Sequence, residues 1–130
     1  MDDDILIQEA QTAREQSYCP YSGYAVGACL EAKDGRRFKA CNVENASYGL
    51  SICAERSAVV QAVSRGALEF TRIAVAADGA MPYPCGACLQ VLREFGSDGM
   101  EIILVNGKHT ERTTLGALLP AKFVLDKTDE

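Results

Sequence analysis

The run Tyr24 to Leu30 (YAVGACL) is apolar or small at every position, and this restricts the fold more than any other feature of the chain. A strand with one wet face alternates apolar with polar residues. A run without alternation marks a strand covered on both sides, which requires further layers above and below the sheet. The spacing therefore predicts a central strand here, with further core strands at Ile73 to Ala77 and Glu101 to Val105. Helical periods lie between them. Leu6, Ala10, Ala13 and Ser17 predict a first helix, capped by Asp4 and closed by Pro20. Ala54, Ala58, Val59, Ala62 and Val63 predict a second that ends near Gly66, and Leu89, Val91, Leu92 and Phe95 a third that stops at Gly96. Asp34-Gly35 turns the first strand into an antiparallel return over Phe38 to Asn42. Asn106-Gly107 turns the third toward a last strand at Thr110 to Thr114 and a short helical piece at Leu115 to Leu119. The alternation predicts a layered α/β fold, and 130 residues without repeat or linker predict a single domain over 1–130. The residues after Phe123 are expected to be loose.

Charge and hydropathy exclude several classes of function. The net charge is −5, with Asp2, Asp3 and Asp4 adjacent, which disfavours binding to a nucleic-acid backbone, where clustered Lys and Arg must displace counterions. No apolar run approaches the roughly 20 residues of a membrane-spanning helix. An acidic N-terminus is the reverse of a secretory signal, so the expected location is the cytoplasm.

In that compartment the six cysteines, Cys19, Cys29, Cys41, Cys53, Cys85 and Cys88, are not expected to form a disulfide framework. Cys85-Gly-Ala-Cys88 alone fits a redox dithiol or half of a zinc site. Cys53, at another predicted helix start, lies 32 residues earlier, and Glu55 follows it by two. Three thiolates from two helix N-termini can converge on one tetrahedral ion and leave its fourth position to water, the pattern of catalytic zinc. A structural site would want a fourth Cys or His. The one histidine, His109, reads as an exposed residue beside a turn. Zn2+ with three thiolates carries a net charge of −1, which calls for compensation. Arg56 and the partial positive charge of two helix ends can provide it. Cys19, Cys29 and Cys41 read as small core or near-surface residues.

The segments Cys41-Asn-Val-Glu-Asn-Ala-Ser47, Cys53-Ala-Glu-Arg56 and Pro84-Cys-Gly-Ala-Cys88 together resemble the three signature segments of the small, homotetrameric, zinc-dependent cytidine deaminases. The likeness runs from Tyr18 to Phe123. It implies a three-layer α/β/α sandwich around a mixed five-stranded sheet, and one Zn2+ per subunit on Cys53, Cys85 and Cys88. It implies hydrolytic deamination of cytidine and deoxycytidine to uridine and deoxyuridine, in pyrimidine salvage, by a hydrolase acting on a cyclic amidine C–N bond. Zinc-activated water would attack C4, with Glu55 as proton shuttle and Arg56 bonded to the thiolates.

By the same resemblance, Asn42 and Glu44 would hold ribose hydroxyls and the backbone of Ala54 would contact the pyrimidine. Tyr24, where relatives usually carry Phe, would lie against the nucleoside, its added hydroxyl needing a partner. Phe123, and similarly Tyr48, would reach a neighbouring subunit's site, so that active sites are shared. The chain departs from the pattern at Leu89, where an arginine is common, and in a short loop at 78–84. Other readings are a deaminase of a modified cytosine nucleoside such as blasticidin S, a non-catalytic zinc protein, and a thiol oxidoreductase using Cys85 and Cys88. The expected partner is a small nucleoside, with no nucleic-acid polymer and no membrane.

Overall fold

In a computed structural model, which describes residues 2–125 and 127, nine helices and strands of at least four residues follow one another among the described residues. They are α1 (Asp2–Ala13), β1 (Val26–Ala32), β2 (Arg37–Cys41), α2 (Ala54–Ser64), β3 (Phe70–Ala77), α3 (Gly86–Arg93), β4 (Gly96–Asn106), β5 (His109–Thr114) and α4 (Leu115–Leu118). Single 3-10 turns lie at Arg14–Gln16 and Tyr48–Leu50. The strands form a five-stranded mixed sheet in the order β2-β1-β3-β4-β5. Only β3 and β4 are parallel, joined by the crossover through α3; the other pairs are antiparallel.

Alternation along the inner strands divides the core in two. Ala28, Leu30, Ile73, Val75, Ile102 and Leu104 face α2, α3 and α4. Their neighbours Cys29, Ala74, Ala76, Ile103 and Val105 pack with Leu6 and Ala10 of α1 on the opposite side. The result is the three-layer α/β/α sandwich, and β1 is buried from Gly27 to Leu30 as the apolar run requires, with Glu31 beyond it half-buried. The middle place in the sheet nevertheless goes to β3, because the hairpin return β2 takes the edge beyond β1.

Several boundaries differ from expectation: β1 runs over Val26–Ala32 rather than from Tyr24 to Leu30, and three others shift for visible reasons. Helix α1 begins at Asp2 rather than being capped at Asp4. Its first turn is held down on the sheet by Asp3, which accepts from Arg72 of β3 and from Arg112 of β5 (3.1 Å). Arg72 also binds Glu31 of β1 at 2.7 Å, tying three strands to one helix end. At its other end α1 gives way to the 3-10 turn after Ala13, so Ser17 lies outside the helix. Gly96, expected to stop α3, is also the first residue of β4 and pairs with Phe70, so β4 starts well before Glu101. Of the residues after Phe123, Val124 and Leu125 are exposed; the expectation of looseness otherwise concerns 126 and 128–130, outside the described residues.

The α1 layer lies very close to β1 at Gly27. A Cβ there would come within 2.1 Å of the Ala10 carbonyl oxygen and 2.6 Å of the Arg14 amide nitrogen. Both are backbone atoms that cannot swing aside. Gly27→Ala is therefore expected to lower stability by about 1–3 kcal/mol through overpacking, read as a fall in Tm; an unchanged Tm would show that α1 can lift without cost.

Candidate active site

The site forms where α2 and α3 begin. Cys53 and Cys85 are the residues preceding these helices, both extended (ψ 155° and 171°), and their carbonyls accept the first helical bonds from Ser57 and Leu89 at 3.0 Å. Cys88 follows inside α3, fully buried. The packing of Ala54 and Ala58 in one core with Leu89 and Leu92 joins the two helices. As a consequence the three sulfurs lie within 4.8 Å of one another, with Cys85 Sγ and Cys88 Sγ 3.6 Å apart. Sulfurs on a tetrahedral zinc at 2.3 Å stand about 3.8 Å apart, so this donor set fits the ion. His109 begins β5, exposed, and is not part of the cluster.

The surroundings stabilise negative charge on one sulfur of the cluster, that of Cys53. The Cys53 thiol is held below the ordinary thiol range, first by a hydrogen bond with Cys88 and then, against the opposing effect of burial, by the charge and hydrogen bond of Arg56. Cys88, the other side of that bond, is raised. Arg56 also donates to the Ser51 carbonyl at 3.2 Å, which fixes the guanidinium beside the cluster.

Glu55, only 5% exposed, is the one charged side chain in the buried core among the described residues. Burial pushes its carboxyl up to about 7, the Cys53 charge adding to the rise. The group therefore exchanges a proton near neutrality, as an acid and base must.

Two adjoining hollows share Ser22, Asn42, Glu44 and Cys53. The smaller, about 250 Å3, contains Glu55, Cys53, Cys85, Tyr24, Ala54, Pro82 and Tyr83. The larger, about 460 Å3, extends past Arg56 to Tyr48. Asn42 is locked by its ends: its Oδ1 accepts from Val26 N at 3.0 Å and its Nδ2 donates to Tyr24 O at 2.9 Å. Glu44 accepts from the amides of Tyr21 and Ser22 at 3.0 and 3.1 Å, and from the Ser22 hydroxyl. The Ser22 hydroxyl bond is the largest influence and lowers its pKa; desolvation opposes it, and the two amides add to the lowering. The Tyr24 hydroxyl has its partner, the Ala80 carbonyl at 2.6 Å.

Most of the expected residues are thus gathered in one place, including Cys53, Glu55, Arg56, Cys85, Cys88, Asn42, Glu44, Tyr24 and Ala54. Phe123 is not: it lines neither hollow, its ring is 67% exposed, and its carbonyl accepts from Gln90 of α3 at 3.0 Å. Leu89 is buried in the core between the helices. Sequence reasoning did not find Ser22, whose sole signal is turn chemistry in Ser22-Gly23, nor the wall residues Pro82 and Tyr83.

The family model described as "Cytidine and deoxycytidylate deaminase zinc-binding region" matches residues 1–104. A cytidine deaminase of Sporosarcina psychrophila is 48% identical over 125 residues, covering 95% of this chain and 92% of the relative. The crystal structure of a cytidine deaminase from Burkholderia pseudomallei superposes with a TM-score of 0.90 at 45% identity, over 95% of this chain and all of that one. A blasticidin-S deaminase of Bacillus cereus is more distant, 27% identical over 132 residues.

Replacing Cys88 with Ala removes one of the three sulfur donors. Purified Cys88→Ala protein is expected to carry far less zinc than the parent by elemental analysis, and full retention would show that the ion is held elsewhere.

Proposed function

The chain belongs to the family of cytidine and deoxycytidylate deaminases with a zinc-binding region, and from that premise we propose that it hydrolyses cytidine, and deoxycytidine with it, to the uracil nucleoside and ammonia. The observation that carries this reading is the convergence of three thiols from two helix starts beside a buried carboxyl whose pKa lies near 7. Cys53, Cys85 and Cys88 would hold the zinc. When bound, zinc supplies Lewis acidity that brings water to nucleophilic strength near neutral pH.

The remaining chemistry belongs to the chain. Glu55 takes one proton from the attacking water and passes it to N3 of the ring; it then takes the second from the new C4 hydroxyl and delivers it to the amine, which leaves as ammonia while C4=O forms. Burial keeps that carboxyl available in both protonation states. Arg56 neutralises charge on the sulfurs. Asn42 and Glu44, already held by backbone partners, retain free hydrogen-bonding capacity for the sugar hydroxyls, because an amide has two donors and each carboxylate oxygen more than one lone pair. Tyr24 and Ala54 line the base.

The charge around the hollows selects a nucleoside over a nucleotide. Arg56 is the one cationic side chain lining the two hollows among the described residues, and it is already engaged by the Ser51 carbonyl and the sulfurs, so the lining offers a phosphate no free cation while Glu44 opposes it. Asn42 and Glu44, suited to an ordinary ribose, favour cytidine over a modified nucleoside such as blasticidin S. We place the active form in a homotetramer with shared sites, supported by the exposure of Phe123 (67%) and Tyr48 (90%). Both are aromatic residues largely exposed on their own chain. The free state of all six cysteines supports a reducing, cytoplasmic location. No helix among the described residues is long and apolar enough to cross a membrane.

The ultraviolet change on mixing zinc-loaded protein with cytidine tests the activity directly: conversion to uridine is expected, and none with cytidine but turnover of blasticidin S would move the assignment to the modified nucleoside. Glu55→Gln should keep its zinc and its fold while losing about 10²–10⁴-fold in kcat; near-normal turnover would remove Glu55 from the proton path. Phe123→Ala should raise KM by about fivefold or more through lost stacking, and unchanged kinetics would exclude Phe123 from any shared site.

A further inference from the structure

The loop 78–84, between β3 and α3, is anchored far more heavily than an ordinary surface connection. Asp78 pairs with Arg14 at 3.0 Å. The Gly79 carbonyl accepts from Asn106 Nδ2 at 2.8 Å, at the end of β4. The Ala80 carbonyl accepts from the Tyr24 hydroxyl at 2.6 Å, ahead of β1. The Tyr83 hydroxyl donates to Glu111 Oε1 at 2.7 Å, on β5. Four ties from four separate parts of the fold thus hold a seven-residue segment, and a turn bond from Tyr83 N to the Met81 carbonyl (2.9 Å) closes its tip.

This loop is also a wall of the reaction space. Pro82 and Tyr83 line the smaller hollow with Glu55 and Cys85, and Tyr83, still 54% exposed, forms its outer lip. Glu111 itself lines neither hollow; its route to the site is through the Tyr83 hydroxyl. A wall fixed before binding spares the substrate the cost of ordering it, and it also limits how far the lip can yield to a larger ligand.

We propose that Glu111 is a positioning residue for substrate selection: by pinning Tyr83 as the lip of the hollow, it sets the size of nucleoside admitted and disfavours those enlarged at the base or the sugar. The inference builds on the reading of this hollow as the nucleoside site. It assigns Glu111 no contact with substrate and no part in proton transfer.

The test uses the zinc-loaded full chain, with kcat and KM for cytidine, and for 5-bromocytidine and 2′-O-methylcytidine as probes enlarged at the base and the sugar. Glu111→Ala and Tyr83→Phe delete the same hydrogen bond. Each is expected to raise KM for cytidine about three- to tenfold, to change kcat by less than about twofold, and to raise kcat/KM for at least one enlarged probe relative to cytidine. The double variant should add little to either single one, because one interaction is being removed. Glu111→Gln keeps an acceptor and should restore both KM and selectivity. A Glu111→Ala protein indistinguishable from the parent would overturn the inference while leaving the deaminase reading intact. An equal loss on all three substrates with a lowered Tm, or no rescue by Gln, would also overturn it in favour of a purely structural role. A parent protein inactive on every nucleoside would overturn the reading of the hollow and this inference together.

Discussion

Two helices starting at one point, each preceded by a cysteine, impose the geometry on which the site depends. Cys53 and Cys85 are extended while their carbonyls already serve the helices that follow. The unpaired amides and positive dipole end of each helix therefore surround the sulfurs. Three thiolates around a divalent ion leave one negative charge in excess, and Arg56 with the two helix ends opposes it. None of this works unless α2 and α3 are held together. Ala54, Ala58, Leu89 and Leu92 belong to one buried core, and α2 and α3 are in contact, so the position of the metal donors is set by packing against the sheet rather than by a flexible loop.

The same arrangement determines the behaviour of Glu55. With Cys53 outside the helix, Glu55 is the second residue of α2 and lies among first-turn amides, which by themselves favour an ionised carboxylate. Burial acts the other way and is the larger effect, raising the pKa to about 7. A carboxyl on the exposed side of the same turn would ionise fully at neutral pH and could not return a proton. Its location in the apolar core, 5% exposed, is what gives a common acid a useful proton affinity.

The layers were legible in the sequence because burial on both faces leaves a plain record: β1, β3 and the second half of β4 read directly from their apolar runs. The three cysteines and Glu55 were legible because metal chemistry restricts residue types and helix starts restrict spacing. Other features left no such record. The beginning of α1 depends on Asp3 reaching Arg72 and Arg112, contacts between residues far apart in the chain. Gly96 looked like a terminator since glycine commonly ends helices, and nothing local indicates that it also pairs with Phe70. Ser22 and Tyr83 are ordinary turn and loop residues in sequence. Their place beside Glu44 and Glu111 exists only after the sheet has formed.

Asn42 and Glu44 show how polar residues in this fold hold the backbone while lining a hollow. The backbone of Asn42 continues the pairing of β2 by donating to Val26 O at 3.1 Å, while its side chain bonds Val26 N and Tyr24 O. Asn42 thus fixes the chain just ahead of β1, where Tyr24 enters the hollow. Glu44 does the same for residues 21 and 22. Each group is oriented by backbone that a ligand need not disturb, which lowers the ordering cost of binding. The sheet edge, the polar groups Asn42 and Glu44 of the hollows and the tyrosine that ties down the far wall therefore form one connected structure. An alteration at Asn42 would reach the loop at Ala80 through Tyr24.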